Sequence, residues 1–360
     1  MFTLEVDDDL QLVVETVRRL AEDELVPRLR ESERLRGVEP ELRRAFEEIG
    51  LSALELPPEQ GGAGLGCLAR VLVNEELAAG DVGAALALDA YGPAVTALLE
   101  VGGEAAAREL IDMLRDGGDR ALLVLEEDAR VDVSGDTIDV EAPWVPADAA
   151  AAIVVLRGEE ALLVRDGIEL ETVRGAGLRA AGASALRVRG GAIAGRWSNA
   201  QGVTRARARA RLYFASLLLG VMRAACEFSA AYAQERQAFG KPIGHHQALA
   251  FLIVDMQMAL EAARLVVQEA AWRVDRALPC SAEAASAFAE CIEASRLVGP
   301  NGVQILGGHG FMADYPVEKH MRESRALGLA CGGFDAAVHE AGLQLCAAPH
   351  PLALGAEGAL

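Results

Sequence analysis

The chain has 360 residues, 54 of them Asp or Glu against 34 Lys or Arg, giving a formal charge of −20 and a pI near 4.8. That balance repels a phosphate backbone and argues against nucleic acid as the main partner. Apolar residues make up 52% and charged residues 24%, so the chain buries a large core and is not disordered.

Residues 8–115 read as helical. Leu12, Val13, Val17, Leu20 and Leu25 recur at helix spacing, and Pro27 breaks the run. Residues 41–49 form a second helix, with Pro40 near its start and Gly50 closing it. The Pro- and Gly-rich stretch from Leu56 to Gly66 is a loop, and helical patterns follow around 69–79 and 105–116. Character changes after Gly117-Gly118. Short β-like runs at 122–125, 137–141, 153–156, 161–164 and 186–189 are separated by turn signals such as Ser134-Gly135-Asp136. Helix returns near Thr204 and includes one long amphipathic segment over 247–278.

The expected architecture is mainly α with a small central antiparallel β domain. It divides into an N-terminal helical domain (1–117), a middle β domain (118–203), a C-terminal helical bundle (204–346) and a loose tail (347–360). No stretch reads as a bilayer span. The longest uncharged apolar run, 212–222, falls short of the ~18–20 residues needed. The first ten residues are acidic where a signal peptide is basic. Six cysteines lie far apart with no CxxC pair, which suggests neither a zinc site nor a disulfide scaffold and fits a reducing cytoplasm.

Two segments carry chemistry. Tyr232-Ala-Gln-Glu-Arg-Gln-Ala-Phe-Gly240 runs on through Gln247 into the long helix. Its guanidinium, Arg236, beside a tight Phe239-Gly240 turn suits a pyrophosphate. Gln304-Ile-Leu-Gly307-Gly308-His-Gly310 is followed by Asp314-Tyr-Pro-Val-Glu-Lys-His-Met-Arg322. Glycines there let backbone N–H groups approach a ligand closely, although such a run is also how a helix ends.

Together these segments resemble the acyl-CoA dehydrogenase family of flavoproteins, and the loop 56–66 with Glu75-Glu-Leu-Ala78 resembles its N-terminal helical domain. The resemblance implies a helix–β–helix fold, FAD bound between subunits, and α,β-dehydrogenation of an acyl-CoA thioester in lipid metabolism, with electron-transfer flavoprotein as acceptor. It also implies roles for individual residues. Arg236 and Phe239 contact the FAD diphosphate and adenosine end, with Gln247 in the same motif. Gln304, Gly307 and Gly308 reach a neighbouring subunit's FAD. Trp144 packs near the flavin ring, and Arg211 is a substrate-binding arginine at the start of the bundle helix.

The resemblance fails where the reaction needs a base. The family's usual glutamate position is Cys331 and the alternative position is Ala210. A thiol is a poor base at neutral pH; Asp335 is a weaker substitute. The family's Gly/Ser-rich loop after the first strand is replaced by Glu126-Glu-Asp-Ala-Arg-Val-Asp-Val-Ser134. A threonine near flavin N5 is replaced by Pro146, which has neither hydroxyl nor backbone donor. The pattern implies a base-lacking subunit that pairs in an α2β2 heterotetramer with a homologous chain retaining the glutamate. Actinobacterial members acting on bulky, steroid-type acyl-CoA resemble this arrangement. A self-sufficient homomeric flavoenzyme with a displaced base and a flavin-free interaction subunit are the alternatives. Arg205, Arg207, Arg209 and Arg211 read as a solvated helix start, His245 and His246 as helix-start polar residues, and no metal cluster stands out.

Overall fold

A computed structural model describes residues 6–115 and 120–347. The expected border at Gly117-Gly118 and the expected tail beyond 347 lie outside the described residues. Helix α1 (Asp8–Leu20) starts at Asp7, whose carboxylate accepts the Leu10 N–H at 2.7 Å. Pro27 does not end the helical path as the sequence suggests. The chain passes through a π turn (Ala21–Leu25) and a 3₁₀ turn (Val26–Arg28) into α2 (Leu29–Leu35). Pro27 lies in the first turn of that 3₁₀ segment, where its missing N–H costs no hydrogen bond.

Helix α3 (Pro40–Ile49) opens on proline and closes at Gly50, which takes the left-handed conformation. Helices α4 (Cys67–Leu88) and α5 (Gly92–Arg115) run longer than their periodicity suggests. Nearly every residue of α4 is buried, so its apolar residues surround the axis and no stripe marks its ends.

Seven strands form the β module: β1 (Ala121–Leu125), β2 (Arg130–Ser134), β3 (Thr137–Val145), β4 (Ala152–Arg157), β5 (Glu160–Val164), β6 (Ile168–Thr172) and β7 (Ser184–Ser198). Their order is β1-β4-β5-β7-β3-β2, with β6 also on β7. The β1–β4 ladder is parallel, and the others are antiparallel. The polar strands β2 and β6 carry half-exposed residues, which is why the apolar runs alone did not reveal them. Strand β7 is long because it serves both halves, pairing β5 through its second half and β3 and β6 through its first.

The bundle comprises α6 (Ala200–Glu235), the hairpin strands β8 (Gln237–Ala238) and β9 (Lys241–Pro242), then α7 (Gln247–Asp275), α8 (Ser281–Leu306), α9 (Val317–Leu327) and α10 (Gly333–Ala347). Helix α6 is its axis, packed on α4, α5, α7, α8 and α9. By length and hydropathy α6 is apolar enough to cross a membrane, contrary to the reading of uncharged runs alone, but 61% of its apolar window is buried among the other helices.

One knot joins the N-terminal helices to the bundle. Lys319 of α9 is buried and donates to Asp81 at 2.7 Å and Glu323 at 2.6 Å. Asp81 sits where α4 bends (φ −161°, ψ 107°) and also accepts the N–H groups of Gly83 and Ala84. Next to this knot, burial together with Lys319 and Arg30 pushes the His320 pKa down to about 3. An unfolded imidazole titrates near 6.5, so the folded chain resists a proton that the unfolded chain accepts. The contribution of neutral His320 is therefore complete above pH 6.5 and is lost as pH falls toward 3, at up to ~1.4 kcal/mol per pH unit. The stability advantage of wild type over a His320→Gln variant is expected to shrink steadily from pH 6.5 to 4.5 in urea unfolding. A constant difference would refute a buried neutral imidazole.

Candidate functional site

A cavity of about 330 Å³ opens between the β module and the bundle. Its lining includes Trp144 and Pro146, at and just after the end of β3, Leu329 and Cys331 in the turn before α10, and Phe214 of α6. The fold thus brings Trp144 to the same cavity as Cys331 from 187 residues away (331 − 144).

Cys331 is buried and takes a left-handed conformation, φ +54°. Burial first, and then the nearby Asp128 charge, pushes its thiol well above the ordinary range. At neutral pH it is a protonated filler with no base to offer.

The other base candidates lie elsewhere. Ala210 is enclosed in α6 and carries no functional group. Asp335 is exposed in the first turn of α10 and does not line the cavity. Arg211, expected on the substrate, is not on the cavity wall either. It is 1% exposed and ion-paired with Glu340 of α10 at 2.5 Å. Its guanidinium is held inside the bundle through Nη1, while its buried Nε has no partner among the described residues.

The whole arginine run departs from a solvated reading. Arg205 pairs with Glu100, Arg207 with Glu126 and Glu127, and Arg209 with Glu55 and Glu100. Alternate residues on a helix point to different sides, so one segment ties the bundle to α5, to the loop before α4 and to the β module.

The sequence reading missed Asp128. Its carboxylate lines the cavity and accepts the Gly332 N–H at 2.6 Å. Burial pushes its pKa up, against the pull of the Gly332 and Cys331 N–H groups and of Arg211. Its two neighbours are held as well. Glu126 accepts the Gly158 N–H at 2.9 Å and pairs with Arg207 at 2.7 Å, and Glu127 also pairs with Arg207. The signal was the acidic triplet directly after the apolar strand β1, where three carboxylates so close together need partners.

A second surface lies at one end of the bundle. Arg236 ends α6, and its guanidinium is exposed with no partner among the described residues. The β8–β9 hairpin turns at Phe239 (φ +54°) and Gly240 (φ +81°). This geometry, with two positive φ values, is that of a tight type I′ turn. It holds the Phe239 ring 95% exposed, in an edge-to-face contact with the His246 ring. Gln247 is exposed at the first position of α7.

Gln304 is exposed in the last turn of α8, and Gly307 and Gly308 follow it, also exposed. A Cβ at either glycine would meet nothing within 4 Å, so the backbone there is open to a large ligand. The Tyr232 hydroxyl and His309 Nδ1 lie 2.8 Å apart, and the His309 ring stacks on Tyr315 at 5.1 Å. These contacts join the Arg236 segment to the Gly307 segment.

The two surfaces fit FAD unequally. The exposed end offers a free guanidinium, an amide and open backbone, a donor set suited to a diphosphate. The cavity offers carboxylates at Glu127 and Asp128, a proline at 146 with no N–H, and a Gly332 N–H already taken. Its polar lining suits the acceptor-rich edge of an isoalloxazine poorly. The residues of this chain fit the diphosphate and adenosine half of the cofactor but not the ring half.

Comparison with known proteins places the chain's sequence and fold. Residues 7–118 match the family model "Acyl-CoA dehydrogenase, N-terminal domain", and residues 201–335 match "Acyl-CoA dehydrogenase, C-terminal domain". The short-chain specific acyl-CoA dehydrogenase of Bos taurus mitochondria is 27% identical over 360 aligned residues, covering 90% of this chain and 86% of the relative. Among solved structures, butyryl-CoA dehydrogenase from Megasphaera elsdenii superposes with a TM-score of 0.82 at 21% identity, covering 96% of this chain and all of the other. The ChsE4–ChsE5 complex from Mycobacterium tuberculosis gives 0.81 at 22% identity, covering 97% of this chain and all of the matched one.

Proposed function

This chain belongs to the acyl-CoA dehydrogenase family, FAD-dependent oxidoreductases of CH–CH bonds, and we propose that it works there as the base-lacking subunit of a heteromeric α2β2 enzyme. The carrying observation is the contrast between its two surfaces. The outward residues Arg236, Phe239, Gln304, Gly307 and Gly308 are exposed, while the inward cavity is lined by Cys331, the position to which the family resemblance assigns the base.

When bound, FAD would supply the acceptor for the hydride that leaves Cβ of the acyl group. This chain's part is to hold the partner's cofactor. Arg236 neutralises the diphosphate, Phe239 covers the adenosine end, and the open backbone at Gly307–Gly308 lets the phosphates approach. The partner supplies the glutamate that removes the α proton. An exposed apolar stripe on α7, formed by Phe251, Val254, Met258 and Leu265 at helix spacing, gives a homologous subunit a surface to bury. The resemblance to heteromeric actinobacterial members supports a bulky, steroid-type acyl-CoA as substrate and electron-transfer flavoprotein as acceptor.

Among the described residues a homomeric enzyme with a displaced base finds no free carboxylate in the cavity, where Glu127 is paired with Arg207. Cys331 is a neutral thiol, Asp335 lies outside the cavity, and Asp128 is bonded to Gly332. Co-expression with a homologue that keeps the glutamate tests the assignment. The expected result is a yellow complex with one FAD per αβ pair, while this chain alone purifies colourless. A yellow homotetramer that oxidises an acyl-CoA on its own would overturn it.

A further inference from the structure

Resting on that reading and deepening it, we infer that Asp128 determines what this chain's own cavity accepts: its carboxylate occupies the backbone donor of the Cys331–Gly332 turn and so excludes the carbonyl oxygen of an acyl thioester. A thioester presents one strong polar atom, a carbonyl oxygen, and that oxygen needs a donor. In this largely apolar cavity an acceptor left buried and unmatched costs the desolvation of its group.

The structure meets that need from the protein side. Three successive residues of the turn have positive φ, Cys331 at +54°, Gly332 at +76° and Gly333 at +67°, and the turn presents its amides toward Asp128. The Gly332 N–H is bonded to Asp128 Oδ1 at 2.6 Å. An arriving carbonyl oxygen meets a carboxylate in place of an N–H, so acceptor faces acceptor.

The arrangement is built and held. Arg207 grips Glu126 and Glu127, and the Gly158 N–H also holds Glu126. A Cβ on Gly332 would lie 2.5 Å from the Ala336 Cβ and 3.0 Å from the Glu127 Cβ. The turn and the acidic triplet are therefore packed against each other, and Asp128 cannot withdraw without moving its neighbours. The cavity of a subunit without a base is kept from binding substrate that it cannot turn over.

The test is equilibrium binding of butyryl-CoA and of free CoA to the purified chain, as wild type, Asp128→Asn and Asp128→Ala. Asparagine keeps the shape and an oxygen for the Gly332 N–H while adding an amide donor beside it; alanine clears the turn. The expected result is at least a tenfold gain for butyryl-CoA over free CoA in both variants, with no discrimination in wild type. A wild-type chain that already prefers butyryl-CoA by that ratio overturns the inference. So does an Asp128→Asn variant that melts like wild type yet shows no gain, and should alanine unfold the chain, the near-isosteric asparagine still decides. The assay uses this chain alone. A failed partner complex therefore leaves its outcome standing, and an absent gain leaves the flavin stoichiometry of the complex untouched.

Discussion

Replacing Lys319 by methionine is expected to destabilise the fold by about 3–5 kcal/mol, the usual cost of removing one partner from a buried ion pair. A domain of this kind has roughly 5–15 kcal/mol in all, so the variant falls to the edge of folding. Lys319 is fully enclosed, and its ammonium is the shared cation of Asp81 and Glu323. Without it two carboxylates face each other out of water. Even with the lysine present, burial pushes Glu323 up to about 7.

The deficit is specific in two ways. It shrinks in the double variant Lys319→Met/Glu323→Gln, because a neutral amide removes one of the stranded charges. It also shrinks as pH falls, because protonating Glu323 relieves the same repulsion. Urea midpoints for the three proteins at pH 8 and pH 5.5 measure both effects. A single variant within 1 kcal/mol of wild type at pH 8 would mean that water reaches the knot and that the fold does not depend on it.

Most of the architecture could be read from short-range pattern. Proline and glycine placed the ends of α3, the Gly-rich loop before α4 was evident, and the apolar runs of β1, β4 and β5 stood out because both faces of those strands are buried. What pattern missed had its partners far off in the chain. The arginines 205–211 look solvated until Glu55, Glu100, Glu126 and Glu340 arrive from four other elements of the fold. Asp128 looked like one acid among many because its partner, Gly332, follows 204 residues later. Arg236 stood out for the opposite reason. In a chain with twenty surplus negative charges, a guanidinium beside a tight turn that recruits no carboxylate among the described residues is open to a ligand, which is the role proposed for it.

That reasoning gives the second large effect. Arg236→Ala is expected to lower FAD retention in the complex with the glutamate-bearing partner by about 10- to 100-fold. This corresponds to the roughly 1.5–3 kcal/mol of a charge-assisted hydrogen bond to phosphate. Arg236 is exposed and its guanidinium has no partner among the described residues, so its removal is expected to leave folding unchanged. The loss then reports on the cofactor alone. Lysine at 236 keeps the charge but not the planar fork, and is expected to fall between the two. Phe239→Ala tests the neighbouring contact, since a ring 95% exposed on its own gains burial only when an assembly covers it. Flavin released on dilution of each complex, followed by its fluorescence, measures the series. Equal retention by wild type and Arg236→Ala would show that the free guanidinium does not serve the diphosphate. The partner's FAD would then be held without this chain, and the contrast between a free outer grip and a blocked inner cavity would lose its functional meaning.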